Sequence, residues 1–248
     1  MMTNLVRANL SLLVASALSL AASSARAEPP LRAAPPSDEE VTRRIAFLQT
    51  RLDRGTPAAN RWWYGWYTGW SALTVGQGVI AVAVTDPGLR ADAAVGAVGS
   101  SLGLIPLGLA PFPARHAAAD LRAMPESTPE ERRKKLARGE RLLRESAESE
   151  VLRRKWFNHV LCGTVSTGVG LVLALGYGRP VTGALSATIG IALSEAQIFT
   201  MPTAAIDDWK EYQSGGGTGS VGQPRRPAPG VSWFVAPLAG GAVVGGSF

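Results

Sequence analysis

Two stretches of this chain, Trp62 to Thr85 and Ala93 to Ala114, contain no charged residue, and each is long enough to cross a bilayer as a helix. Asp86, Pro87, Gly88, Arg90 and Asp92 supply the turn between them, so the pair reads as a hydrophobic helical hairpin. The hairpin is approached through Trp62, Trp63, Tyr64, Trp66, Tyr67 and Trp70. Trp63, Trp66, Tyr67 and Trp70 keep helical spacing and fall on one face. Rings with an apolar body and a polar N–H or O–H favour the membrane interface, so these six residues, with Trp156 further on, are expected to form an aromatic belt. A Trp-rich soluble core is the competing reading, and the scarcity of charge around the rings weighs against it.

The pattern returns later in the chain. Superposing Arg61 on Arg154 places Trp63, Tyr64, Ser71, Thr74 and Ala81 over Trp156, Phe157, Thr164, Thr167 and Ala174. With a slightly shorter turn, Gly99, Leu102 and Pro111 then lie over Gly190, Leu193 and Pro202. A two-unit repeat of hairpins is the simplest explanation. The third apolar run, Trp156 to Gly178, holds His159 and Cys162; the fourth, Val181 to Ala205, has Glu195 as its one charged residue. Ser186, Gly190 and Ser194, like Gly99 and Gly103 in the second run, form small-xxx-small ladders that let helix backbones approach closely.

Composition supports a membrane class: 46% of residues are hydrophobic and 18% charged, which is lean in charge for a soluble protein. The net charge of +6 arises outside the apolar runs and suits anionic lipid headgroups. No nucleic-acid motif accompanies it. Arg132, Arg133, Lys134 and Lys135 form a basic cluster that could meet nucleic acid, but Glu130, Glu131, Glu140, Glu145, Glu148 and Glu150 dilute it, so a solvated helix face or a headgroup contact is expected.

Arg7, the apolar stretch Leu10 to Ala22 and the small-x-small site Ala25-Arg26-Ala27 read as a secretory signal, so the mature chain is expected to begin at Glu28. A single cysteine, Cys162, excludes an intrachain disulfide and any multi-cysteine metal site, and no cofactor is implied. Ser37 to Glu40 form a capping box that opens an amphipathic helix with Val41, Ile45, Leu48 and Leu52 on one face. Gly55 is expected to end that helix and Thr56-Pro57 to restart one. Thr128-Pro129-Glu130-Glu131 is the clearest cap signal. It opens a helix with Leu136, Leu143, Ala147 and Val151 in line that is expected to run unbroken into Trp156.

The expected organisation is a signal peptide (1–27), a Pro-rich linker (28–36), an amphipathic helix with the first hairpin (37–113), a basic connecting segment and helix (114–155), the second hairpin (156–212), a flexible Gly/Ser/Pro-rich linker (213–230) and an apolar C-terminal segment (231–248). The fold class is all-α: a four-helix membrane bundle from two repeated hairpins, each preceded by an amphipathic helix, with a flexible C-terminal tail. Within that tail Gly240-Gly241 would suit the turn of a short hairpin, and a terminal Phe248 resembles the last strand of outer-membrane barrels, although no other barrel strands are evident and a fifth helix or a flexible tail is an equal expectation.

Four crossings after an exported start return every long polar segment to the periplasmic side, leaving only Arg90 and Arg179 at the inner turns. That runs against the positive-inside tendency. Three resolutions are open: the leading segment overrides the bias, the hairpins insert elsewhere in the envelope, or they bury one another in a soluble bundle. The expected location is a bacterial envelope membrane, the inner membrane first and the outer membrane second, with the lipid bilayer and either further copies or another envelope protein as partners.

No catalytic signature is present. A non-catalytic envelope scaffold or assembly subunit is the first functional expectation, a small transporter or channel-like protein using Glu195 and His159 the second, and a membrane enzyme the third. Glu195 is the residue on which a function would rest, because an ionisable group inside a membrane helix is costly. Taking the turn at Arg179 puts Glu195 opposite Gly163 and within reach of His159, with Asn158 and Gln197 nearby.

Overall fold

In the computed structural model the described residues are 36–110 and 112–216, together with the backbone of Ser232–Leu238 and Gly241–Ser247. The expected signal peptide, nearly all of the Pro-rich linker and most of the 213–230 linker lie outside them. The helices are α1 (Asp38–Ala83), α2 (Pro87–Leu109), α3 (Ala117–Arg122), α4 (Pro129–Arg153), α5 (Trp156–Leu171), α6 (Pro180–Phe199) and α7 (Ala204–Glu211). A π-helical turn, Val172–Gly176, extends α5, and a 3₁₀ turn, Pro113–Arg115, precedes α3. The described residues from Asp38 to Gly216 are largely helical, and three of the helical stretches, Pro87–Leu109, Trp156–Gly176 and Pro180–Gly215, are long and apolar enough to span a membrane.

The first apolar run is not among those three. It forms the second half of α1, where Trp66, Tyr67, Trp70 and Gln77 lower the hydropathy that its valines and alanines supply. Nor does α1 stop at Gly55. It runs for 46 residues through Gly55 and Pro57, although proline removes one N–H from the ladder. Leu52 on one side of the proline and Ala59 on the other are buried in separate cores, and Thr56 Oγ1 donates to the Leu52 and Ala114 carbonyls at 2.9 and 3.3 Å. Packing on both flanks holds the helix through two residues that would break it in isolation.

The amphipathic half of α1 joins α3, α4 and α7 in a polar head. Val41, Ile45, Leu48 and Leu52, the expected stripe, are all buried there against Leu121, Leu136, Leu142, Leu143 and Ala147. Thr128 caps α4 in the expected box, its hydroxyl accepting from Glu131 N and the Glu131 carboxylate from Thr128 N. Ion pairs tie the rim: Arg51 to Asp208 and Glu211, Arg122 to Asp53, and Arg132 and Arg133 to Asp38. Lys135 belongs to the interior instead, its ammonium donating to Met124 O and pairing with Glu126 at 2.8 Å.

α4 does not continue into α5, as the sequence suggested. The chain turns at Arg154 and Lys155, where Lys155 is extended and α5 starts afresh at Trp156. No glycine or proline marks this turn. Tertiary bonds fix it: Arg154 donates to Met201 O at 3.2 Å and Asn158 Nδ2 to Leu152 O at 2.8 Å.

Beyond the head, α1 and α2 pack antiparallel, with Trp70 against Gly103, Thr74 bonded to Ser100 at 3.0 Å and Gln77 against Gly96. α5 and α6 pack antiparallel in turn. At the end far from the head, Arg179 makes a bidentate pair with Asp92 (2.8 and 2.6 Å), and Thr182 donates to the same carboxylate. Gly88 leaves room for that guanidinium, since a Cβ there would collide with Arg179 Nη1.

The C-terminal segment is not a featureless tail. Ser232–Leu238 and Gly241–Ser247 pair as antiparallel strands with Leu238 opposite Gly241, leaving Ala239 and Gly240 between them. The β-branched and aromatic content of the two segments favours the extended conformation.

Candidate functional site

The site is built on close contact between α5 and α6. A Cβ on Gly170 would lie 2.5 Å from the Gly183 carbonyl oxygen, and one on Gly183 would strike Gly170 O, so the two backbones touch. One turn and more toward the head, Gly190 faces Ser166, with Ser166 Oγ 2.9 Å from where a Cβ would be. Only glycine permits so close an approach of two helix backbones. Gly170 and Gly183 were not singled out in the sequence, because each sits in a run so rich in small residues that the contacting pair has no distinguishing signal.

At the head end of this helix pair, His159 Nδ1 lies 2.7 Å from Glu195 Oε2. Both side chains are a little under one-third exposed, and Phe199 stands beside the imidazole with ring centroids 5.7 Å apart. The facing pairs Gly170–Gly183, Ser166–Gly190 and His159–Glu195 are centred on residues 176–178, and Gly178 takes a positive φ of 66°. That centre, set by the π-helical turn, brings Glu195 directly opposite His159 rather than opposite Gly163.

The other two members of the expected cluster go elsewhere. Asn158 is spent on Leu152 O at the α4–α5 turn. Gln197, two positions from Glu195 and so on another face of α6, accepts from Trp70 Nε1 through Oε1 and from Trp62 Nε1 through its carbonyl, both at 3.1 Å. Trp66 Nε1 donates to Thr200 Oγ1 at 3.1 Å and Trp63 Nε1 to Leu107 O at 3.0 Å.

These bonds divide the expected aromatic belt. Trp62 and Trp70 are buried, packed with Leu107, Phe112, Ala114 and Met201 in a collar between the head and the apolar helices. Tyr64, Tyr67 and Trp156 are exposed, at 56%, 41% and 75%, and remain free to meet an interface. Of the proposed packing residues, Gly99 faces Val169 and Gly103 faces Trp70, whose ring would lie 2.5 Å from an added Cβ. Ser194 lies beside Cys162 within hydrogen-bonding reach. Ser186 is half-buried on α6.

Two polar groups escaped the sequence reading. Gln77 sits in the first apolar run with its Oε1 buried and without a partner beside Gly96; its lone amide in an uncharged run was the available signal. Glu150 is buried in the head, its carboxylate accepting from Ile206 N at 3.2 Å and so capping α7 from a different helix. Burial pushes its carboxyl up to about 8, against an ordinary value of 4.5. Its place on the apolar side of α4, three residues after Ala147, was legible as an acid on the wrong face.

Among the described residues no group of three or more His, Cys, Asp or Glu side chains is arranged to hold a metal ion. No protein-family model matches the chain, and no curated protein and no solved structure is similar to it. What the site can do chemically is therefore argued from its geometry: a carboxylate and an imidazole in contact, inside an apolar helix pair, able to hold a proton between them or to fasten two helices.

Proposed function

We propose that this chain is an exported, non-catalytic scaffold or assembly subunit of the bacterial cell envelope, which holds a stiff polar head at a bilayer surface. Four helices cross the membrane in this reading, as two repeated hairpins formed by the second half of α1 with α2 and by α5 with α6. The observation that carries it is a contrast in burial. Only 17%, 17% and 11% of the apolar stretches of the three candidate spans are buried within the protein, and Val79, Val82, Leu109, Leu175 and Val181 point outward. Such a surface is stable when lipid covers it.

The head is not tethered loosely to these helices. A continuous α1 of 46 residues, roughly 69 Å at 1.5 Å per residue, is about twice the thickness of a hydrocarbon core and passes from the head into the apolar helices as one unbroken element. Such an element sets the head's height above the lipid, which suits a partner-positioning role. The exported start puts the head on the periplasmic side of the inner membrane in this reading, against the positive-inside tendency, with Arg90 and Arg179 as the basic residues at the inner turns. Insertion in the outer membrane is the alternative location.

High-pH carbonate extraction of native-host membranes tests the reading, with the protein expected in the pellet. Crosslinking of the detergent-purified protein is expected to trap further copies or a second envelope protein. Release by carbonate would overturn membrane integration, and a strictly monomeric, partner-free product would overturn the scaffold.

A second reading, a small transporter or channel-like protein, is favoured by the contact between His159 and Glu195 within apolar helices. Glu195→Gln, His159→Ala and the double variant separate the readings. Fastening alone predicts non-additive losses of stability, with coupling of about 0.5–2 kcal/mol. A transport role predicts loss of ion or proton flux in liposomes at unchanged stability.

A further inference from the structure

Where α1, α2 and α4 meet, a cleft of about 330 Å³ opens at the level of the aromatic collar. Trp63 and Leu107 wall it on the bundle side, and Arg115, Asp120, Arg138 and Glu145 wall it on the head side. Arg115 is held in place before any ligand arrives. Its guanidinium lies 3.7 Å from the Trp63 ring centroid and 4.9 Å from that of Tyr64, while Nε donates to Asn60 Oδ1 at 3.2 Å. Trp63 is fixed in turn by its bond to Leu107 O. Among the described residues the two terminal nitrogens of Arg115 have no hydrogen-bond partner, and together they form the fork that matches a phosphate. Arg138 stands between Asp120 and Glu145 at 4.0 Å from each, too far for tight pairing, so both carboxylates keep free acceptor capacity.

We propose that this cleft binds the headgroup of a zwitterionic phospholipid of the phosphoethanolamine type, its phosphate on Arg115 and its ammonium on Asp120 and Glu145. The inference rests on the membrane reading above. Position on the protein selects a lipid: Leu107 lies in a candidate span, and Leu109, two residues on, is 80% exposed, so acyl chains from a headgroup seated here would run down the apolar face of α2. Charge selects the headgroup class. Two arginines and two carboxylates, with His116 beside them, line the cleft, and opposite charges on its two sides complement a zwitterion better than a net anion.

Native mass spectrometry of the full-length protein in detergent, titrated with phosphatidylethanolamine, phosphatidylglycerol or inorganic phosphate, tests it. One phosphatidylethanolamine is expected to be retained, with phosphatidylglycerol weaker and inorganic phosphate weaker still because it gains nothing from the apolar wall. Arg115→Gln should weaken phosphatidylethanolamine retention by about tenfold or more, the worth of a charge-assisted phosphate contact, measured where the variant is still folded. Asp120→Asn combined with Glu145→Gln should abolish the preference for phosphatidylethanolamine over phosphatidylglycerol. Retention indifferent to Arg115→Gln overturns the site, and so does tighter binding of inorganic phosphate than of lipid. Should Arg115→Gln fail to fold, the carboxylate double variant decides: a surviving headgroup preference overturns the proposal. Carbonate extraction keeps the two failures apart, since a protein that stays in the membrane while its lipid retention ignores these variants loses only the headgroup site.

Discussion

The head and the apolar helix pairs are built on opposite rules. In the head, Leu48, Leu121 and Leu143 are buried almost completely and charges cover the outside, so stability comes from removing apolar surface from water. Between α5 and α6 the contacts are made by Gly170, Gly183, Gly190 and Ser166, while large side chains such as Leu175 and Val181 turn outward. Size therefore has opposite meanings at the two ends. A large residue is required at a head core position and is excluded where α5 meets α6.

The sharpest way to break this comparison is truncation of a leucine in each region. Leu48→Ala should cost about 2–5 kcal/mol by thermal unfolding in detergent, as expected for a cavity in a closed core. Leu175→Ala, at a site that is 81% exposed, should stay within about 0.5 kcal/mol. Equal costs would mean that the outward leucines are covered by protein rather than lipid.

Enlarging a glycine probes the other rule. Gly183→Ala drives a methyl into the Gly170 carbonyl and should cost about 1–3 kcal/mol, an overpacking effect. Gly163→Ala, at a glycine with open space around it on the same helix pair, should be neutral or slightly stabilising. Similar melting temperatures for the two variants would remove the close backbone contact.

A smaller effect separates the regions by pH. Glu150 has a raised carboxyl pKa in the fold, so the folded head holds its proton more tightly than the unfolded chain does. Its contribution to stability is complete below about 4.5 and is lost as pH rises through about 8. Glu150→Gln keeps an acceptor for Ile206 N and removes the titration. The wild-type melting temperature should therefore fall by about a few degrees more than that of Glu150→Gln between these limits. Parallel pH profiles would show that Glu150 reaches water.

The same contrast explains which features could be read in advance. Amphipathic stripes and caps are local, and so the stripe Val41, Ile45, Leu48, Leu52 and the Thr128–Glu131 box were legible residue by residue. Val151 shows the limit of periodicity: it continues the α4 stripe by spacing, yet it is 45% exposed because the helix ends two residues later. Helix breaks failed in both directions. Gly55 and Pro57 lie inside a continuous helix, and Arg154-Lys155 interrupts one without a breaker, because in each case contacts from distant residues outweigh local preference. His159 and Glu195 were legible as a pair, since each is conspicuous in an apolar run and antiparallel geometry leaves little choice of partner. Asn158 and Gln197 were not separable from them, because their competing partners, Leu152 O and the indoles of Trp62 and Trp70, come from other segments.

By itself, the sequence determined which stretches carry apolar surface that must be covered and which carry charge that stays solvated, since transfer free energy follows composition. Tertiary structure alone decided what each polar group in those runs touches. Trp62, Trp66 and Trp70 turn their indoles inward to α6, Asp92 crosses from α2 to meet Arg179, and Gly170 rather than any neighbouring small residue meets Gly183. The physical reason is that hydrogen bonds and backbone contacts are short-ranged and directional. Helical phase, the π-helical turn at Val172–Gly176 and the crossing of the helices set them, and none of these is written in composition.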